Sequence, residues 1–310
     1  MDHPVVIRIT DFAAPAGWGT AADVSERARR YCERLEAGDI LCFRDLPFAL
    51  PEDDRRFLLE QHWGGSALHK NISYRPSQDL LRGYDGDATE RTALHRILKN
   101  YSAQVVEFAR RFLIPYADRW SLDFASFRPL EEEGRDLPLH KRNDLLHVDA
   151  FPSRPTRGGR ILRVFTNLNP SKPRVWLTTN RFPELAQSYA REAGLDPFAI
   201  GASAGARFIE PFKRLLHLPG AGRSAYDRFM LRFHDYMKEN DAFQSGCEKI
   251  RLEFEPLSTW LVFTDGVPHA VLSGQYALEQ TFIIPTTALV APQMAPIRVL
   301  ESLCGRSLEN

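Results

Sequence analysis

The spacing of apolar residues along this chain changes rhythm twice. In the first third, "TAADVSERARRYCERLEAG" and "ATERTALHRILKNYSAQVVEFARRFLIPYADRW" place apolar residues at three- and four-residue intervals, the period of an amphipathic helix. Gly38 is a natural stop for the first of these. "PEDDRRFLLEQHW" opens on proline and acids, as a helix N-terminus should, while "VVIRIT" and "DILCFRDL" read as strands. Past Trp120 the pattern turns strand-like. "LDFASFRPL", "LLHVDAF", "RILRVFTNLN" and "RVWLTTN" are short, rich in β-branched or aromatic residues, and punctuated by Pro, Gly and Asn. A helical stretch from Pro183 to Asn240 follows, including "AYDRFMLRFHDYMKEN". Strands then return as "KIRLEFEPL", "STWLVFTDG", "HAVLSGQ" and "LEQTFIIPTTAL".

Strands in the middle and at the end, with helices before and between them, predict an α+β fold: a barrel or sandwich buttressed by helices. One sheet architecture must then close over a long gap in the sequence. The expectation is a single domain over residues 1–310, with N-terminal helices and strands in 1–120. Its β core would occupy 121–182 and 248–290, and a helical insertion 183–240.

Composition narrows the function classes. The 310 residues are 44% hydrophobic and 26% charged, as in a soluble globular protein. Forty basic and forty acidic side chains cancel, which argues against a general nucleic-acid binder. Cys32, Cys42, Cys247 and Cys304 are scattered without a CxxC, pointing to a reducing compartment and away from a thiolate zinc site. "MDHPVVIRIT" lacks the basic-then-apolar pattern of a secretory signal, and no apolar run approaches the roughly 20 residues that span a bilayer. A cytoplasmic protein is expected.

The chemistry concentrates in "RNDLLHVDAFPSRPTRGGRILRVFTNLNP", Arg142 to Pro170. On a strand, His147 and Asp149 would point to one face, about 7 Å apart. An imidazole and a carboxylate are two members of the two-histidine, one-carboxylate triad that holds non-haem Fe(II) with open positions. Alone the pair is weak: with nine histidines and 40 acids, about one His-x-acid arises by chance. The third ligand should lie far downstream, on a strand of the same β structure. His269 does, just past the Gly266 turn, whereas His95 and His234 sit in helical patterns. The four arginines Arg154, Arg157, Arg160 and Arg163 have helical spacing, but Pro152, Pro155, Gly158 and Gly159 forbid a helix. They form a basic loop running into a strand. Alternation there puts Arg163, Phe165 and Asn167 on one face and Arg160, Leu162 and Val164 on the other. An arginine inside an apolar strand is costly unless it meets an anion, and a guanidinium fork suits a carboxylate.

"ALHKNISYRP" (Ala67 to Pro76), "LLHVDAFPSRPTRGGRILRVFTNLNP" and "FTDGVPHAVLSGQYALEQTF" resemble the Fe(II)/2-oxoglutarate-dependent dioxygenases, and among them the Kdo hydroxylase family. The resemblance covers most of the chain. It implies a double-stranded β-helix, jelly-roll or cupin-like, with Fe(II) held by His147, Asp149 and His269. It also implies 2-oxoglutarate and O2 as cosubstrates, and hydroxylation at carbon 3 of Kdo, giving Ko, in the lipopolysaccharide inner core. The sequence departs from many relatives where a basic residue past the second histidine anchors 2-oxoglutarate; Glu279, Gln280 and Thr281 stand there. By analogy with other branches the anchor is Arg163, with Arg160 in reserve, Gln280 as a helper and Asn167 on the same face.

Kdo carries a carboxylate and its lipid A anchor carries phosphates. Candidate substrate contacts are therefore Lys70, Tyr74, Arg75, Arg128, Lys141, Arg142, Arg154 and Arg157, with Phe151 or Trp176 flooring a sugar site. The partner implied is a Kdo–lipid A precursor, met by peripheral contact at the inner face of the inner membrane. Two alternatives stay open: a 2-oxoglutarate dioxygenase acting on another small anion, and a non-enzymatic cupin-like module that binds metal or sugar.

Overall fold

The computed structural model describes residues 3–12, 21–60, 71–200 and 223–309. Eleven strands among them form two sheets. The larger holds β1 (Val6–Arg8), β2 (Ile40–Phe43), β3 (Ile72–Arg75), β4 (Leu80–Arg82), β5 (Ser121–Arg128), β6 (Arg160–Asn167), β9 (Thr259–Phe263) and β11 (Ala277–Ile284). The smaller holds β7 (Arg174–Thr178), β8 (Ile250–Phe254) and β10 (His269–Ser273). Strand orders are β1-β2-β9-β6-β11-β5-β3-β4 and β10-β7-β8. Only β1 and β2 pair in parallel.

Strand β6 sits between β9 and β11, and every one of its eight residues is buried. Its two faces do different work. Leu162 and Val164 join the main core, where Leu94, Leu98, Tyr101, Val105, Phe108 and Phe112 of helix α3 also pack. In the order of the chain the helices are α1 (Ala21–Glu36), α2 (Glu52–Glu60), α3 (Ala88–Phe112), α4 (Phe182–Tyr189), α5 (Leu195–Ile200), α6 (Ala225–Glu239), α7 (Asp241–Gly246) and α8 (Pro296–Cys304). Each large apolar side chain that α3 buries is worth about 1.5–3 kcal/mol. The Asp87 carboxylate caps this helix, accepting from the Thr89 and Glu90 N–H groups. On the other face of β6, Phe165 meets Trp176, Phe254 and Trp260. Phe165 stacks on Trp260 at 5.3 Å, and Trp176 stands edge-on to Phe165 at 5.1 Å. This aromatic cluster joins the two sheets at one end.

The stretch "LLHVDAF", expected as a strand, contributes one bridge. His147 exchanges both backbone hydrogen bonds with His269, at 3.1 and 2.9 Å. Two residues later the Asp149 N–H donates instead to Thr264, just beyond the end of β9 (2.8 Å). The segment therefore leaves β10 before a ladder can form. Helix α8, which the apolar pattern had not suggested, packs against α4 and α5.

Helix α6 closes the open side. Ser224 and Asp227 form its capping box. Asp227 also accepts from the backbone N–H groups of Thr156 (2.8 Å) and Arg157 (3.0 Å), tying the loop after Asp149 to the helix. Asp227→Ala removes the box and this tie together, and should cost about 2–4 kcal/mol. A thermal melt of the variant that matches the parent would contradict this role.

Candidate metal centre and its anion cavity

His147, Asp149 and His269 come together with their ligating atoms within 4.8 Å of one another. His147 Nε2 lies 3.9 Å from Asp149 Oδ1, and His269 Nε2 lies 4.0 Å from Asp149 Oδ2. The opposite ring nitrogens are occupied. His147 Nδ1 is 2.7 Å from the Leu145 carbonyl and His269 Nδ1 is 3.0 Å from that of Val267. A carbonyl can only accept, so each Nδ1 carries the proton and each Nε2 keeps a free lone pair. Asp149 Oδ2 is buried with no hydrogen-bond partner. Two free imidazole nitrogens and one orphaned carboxylate oxygen, converging from three positions, fit a divalent metal.

Electrostatics favour the ligating forms. Burial pushes the His147 pKa well below its usual value, and the nearness of His269, Lys238 and His234 further disfavours a charge on it. Burial lowers His269 too, against the pull of Asp149. Burial works against ionising Asp149, but Arg163 and the two histidines prevail and hold its carboxyl far below the carboxylate range.

Arg163 leads into a chain of buried charges. Its Nη2 approaches Asp149 Oδ2 at 3.2 Å, outside hydrogen-bonding geometry, and its Nη1 reaches Glu279 at 3.4 Å. Arg128 Nη2 holds the other side of Glu279 at 2.7 Å. Glu132 then gathers Arg174 (3.5 Å), Arg135 (3.6 Å) and Arg128 (3.7 Å). Burial lowers the Arg174 pKa to about 10, in part offset by Glu132. The Nε groups of Arg163 and Arg174 are buried without partners. Unsatisfied guanidinium donors of this kind are unfavourable unless an anion completes them.

These groups border a cavity of about 930 Å³. The triad, Arg128, Arg135, Arg163 and Arg174 line it, as do Phe151, Phe165 and Trp176. Trp176 stacks on the His269 ring, centroids 5.0 Å apart. Helix α6 supplies the facing wall with Leu231, His234, Asp235 and Lys238.

Several expected contacts lie elsewhere, and strand parity accounts for Arg160 and Gln280. Arg160 is an odd number of positions from Arg163 and so faces the helices. There it pairs with buried Asp265 (3.2 Å), donates to the Glu36 carbonyl and lies over the Phe263 ring. Gln280 is on the wrong face of β11, opposite Val164, and donates to the carbonyls of Asp123, Phe124 and Thr281. Asn167 clamps a turn, donating to the carbonyls of Lys172, Phe254 and Glu255. Among the substrate candidates, Tyr74 is buried and donates to Asp79, Arg75 lies over Phe124, and Arg142 pairs with Asp144. Arg154 is held between Phe124 and Phe151 and paired with Asp123, and exposed Arg157 is outside the cavity lining. Arg128 lines the cavity but belongs to the Glu279 network, and Lys141 lines it from an exposed position. Lys70 lies outside the described residues.

The sequence reading passed over Arg174, Arg135, Glu132, Lys238 and the role of His234. Arg174 carried a usable signal: in "RVWLT" it shares a face with Trp176 and Thr178, the parity argument that singled out Arg163.

A helix-buttressed pair of β-sheets carrying a His-x-Asp…His triad beside a buried arginine cluster defines the class of Fe(II)/2-oxoglutarate-dependent dioxygenases on a double-stranded β-helix. Within that class the chain belongs to the 3-deoxy-D-manno-oct-2-ulosonic acid (Kdo) hydroxylase family, whose profile matches residues 18–307. The crystal structure of the Kdo hydroxylase KdoO with α-ketoglutarate (2-oxoglutarate) and Fe(III) is 33% identical, with a TM-score of 0.83. That alignment covers 99% of this chain and 97% of the other. The cobalt(II) complex of KdoO is 34% identical over 98% of this chain and 97% of the other, TM-score 0.84. The succinate and Fe(III) complex is 33% identical over the same shares, TM-score 0.82. No curated protein matches the chain by sequence.

The two arginines of β6 should separate cleanly in experiment. Arg160→Met leaves Asp265 buried and unpaired, lowering stability by about 3–5 kcal/mol while leaving the KM for 2-oxoglutarate unchanged. Arg163→Met should also lower stability, since Asp149 and Glu279 lose a partner, but unlike Arg160→Met it should raise that KM more than roughly tenfold. The reverse pattern would move the anchor to Arg160.

Proposed function

We propose that this Kdo hydroxylase acts on carbon 3 of lipid-linked Kdo, with His147, Asp149 and His269 as iron ligands and Arg163, Arg174 and Arg128 as the seat of 2-oxoglutarate. The observation that carries the reading is the buried arginine cluster, with two unpartnered Nε groups, opening onto the same cavity as the triad. Bound iron supplies the redox chemistry that couples 2-oxoglutarate decarboxylation to hydroxylation. The protein's own groups do the positioning. The Leu145 and Val267 carbonyls fix both imidazole tautomers, and Arg163 holds the Asp149 carboxylate. The unpartnered guanidinium donors suit the distal carboxylate of the cosubstrate. Phe165 and Trp176 keep the neighbourhood of the triad apolar, which strengthens each of these charge contacts.

A lipid-borne substrate fits the mouth of this cavity. Leu139 is exposed there, between Pro138 and the cavity-lining His140 and Lys141. An apolar side chain close to a lysine suits the surface of an anionic membrane. No helix among the described residues is long and apolar enough to cross a membrane.

With Fe(II), 2-oxoglutarate and O2, a Kdo–lipid A precursor should gain one oxygen on the Kdo moiety, with one succinate formed per oxygen. Asp149→Ala should show neither product and keep a native circular dichroism spectrum. Succinate formed without oxygen on Kdo would remove the substrate assignment. Oxygen gained by free Kdo but not by the precursor would remove the lipid-linked form.

A further inference from the structure

The name 3-deoxy-oct-2-ulosonic acid places the carboxyl at C1 and the methylene at C3. The two carbons are two bonds apart, about 2.5 Å. Whatever brings C3 to the metal therefore brings the carboxylate into the inner cavity too, beyond reach of exposed arginines at its rim. A cation must receive it there. The arginine cluster lies on the Asp149 side, where Arg163 touches Oδ2, and is already shared with Glu279 and Glu132.

The other side of the triad belongs to α6. The His234 ring meets the His147 ring edge-on, centroids 4.8 Å apart, and is fixed by a 2.7 Å contact from Nδ1 to the Val148 carbonyl. One helical turn on, Lys238 lines the same cavity. Only 3% of Lys238 is exposed. Its ammonium makes one hydrogen bond, to the His140 carbonyl at 3.1 Å, and among the described residues no carboxylate lies within ion-pairing distance. An ammonium has three N–H groups to satisfy. Burying it with one neutral acceptor is unfavourable, and the cost falls when an anion enters.

We infer that Lys238 is the group that takes the C1 carboxylate of the Kdo residue and so fixes which carbon faces the metal. This rests on the substrate reading above. It makes Lys238 a determinant of specificity at the substrate side of the triad, separate from the arginines that serve the cosubstrate. Its charge is also felt at His147 and His269, which places it close to the reacting centre.

The test compares the methyl glycoside of Kdo with the methyl ester of that glycoside, which keeps the sugar and loses the charge. Both are titrated calorimetrically into protein loaded with Co(II) and 2-oxoglutarate, so no turnover intervenes. The parent should bind the acid about tenfold more tightly than the ester, the worth of one charge-assisted contact. Lys238→Met should bind both alike, to within about twofold, and Lys238→Arg should recover part of the preference. A loss confined to packing would weaken acid and ester equally and keep their ratio. In turnover, Lys238→Met should raise the KM for the acid acceptor while the KM for 2-oxoglutarate stays near the parent's. If Lys238→Met keeps the tenfold preference, Lys238 does not hold the carboxylate, whatever the enzyme hydroxylates. A parent protein that neither binds the acid nor hydroxylates a Kdo–lipid A precursor overturns the substrate reading and this assignment with it.

Discussion

Arg163 is the hinge of the whole arrangement. It sits on the central strand of the larger sheet and divides its guanidinium between Asp149, a member of the candidate triad, and Glu279, which is not. Burial disfavours both ionised carboxylates, and Arg163 opposes it at each: it is the largest favourable influence on Asp149 and second to Arg128 on Glu279. Burial alone would raise the Glu279 pKa, yet Arg128 and Arg163 hold it below the usual range. Register brings this about: β11 pairs Thr281 with Arg163 and Glu279 with Phe165, so Glu279 and Arg163 share a face and stand diagonally across neighbouring strands. A one-residue slip of either strand would turn one of them to the helices and leave the other uncompensated.

The charge inventory of the site follows from that constraint. Arg128, Arg135, Arg163 and Arg174 face Asp149, Glu279 and Glu132, so cations outnumber carboxylates even before a metal is counted. A divalent ion adds to the surplus and a dianionic cosubstrate removes it. Such a site is built to be completed by anions. The opposite wall is different in kind. Helix α6 presents neutral His234, the Asp235 carboxylate and the Lys238 ammonium, and Asp227 anchors it to the loop that follows Asp149. A metal held by the triad would lie between a sheet bearing guanidinium groups and a helix bearing Lys238.

Much of this could be read from the sequence because strands obey a period of two. His147 and Asp149 share a face, His269 opens a strand beside them, and alternation separated Arg163 from Arg160. The same rule applied to β11 would have removed Gln280, which neighbours Val164 and therefore faces the helices. It would also have brought in Arg174 through Trp176. What the rule cannot supply is the contact between distant elements. Glu132 lies in a loop, and nothing local shows that Arg174, Arg135 and Arg128 converge on it. Lys238 reads as an ordinary solvated charge near a helix end, and only the packing of α6 over the triad buries it. The expected strand through His147 failed for a related reason: the turn after β9 drew Asp149 away from the ladder.

On the proposed reading, one cavity seats the metal on His147, Asp149 and His269 and the cosubstrate's distal carboxylate on the Arg163–Arg174 wall. A crystal structure of the protein loaded anaerobically with Fe(II) and 2-oxoglutarate, with the iron located by anomalous scattering, tests it most directly. Iron should be bonded to both Nε2 atoms and to Asp149, with the distal carboxylate of 2-oxoglutarate within hydrogen-bonding distance of the Arg163 and Arg174 guanidinium groups. Iron bonded to other residues, or 2-oxoglutarate seated against α6 with those guanidinium donors still unpartnered, would contradict it.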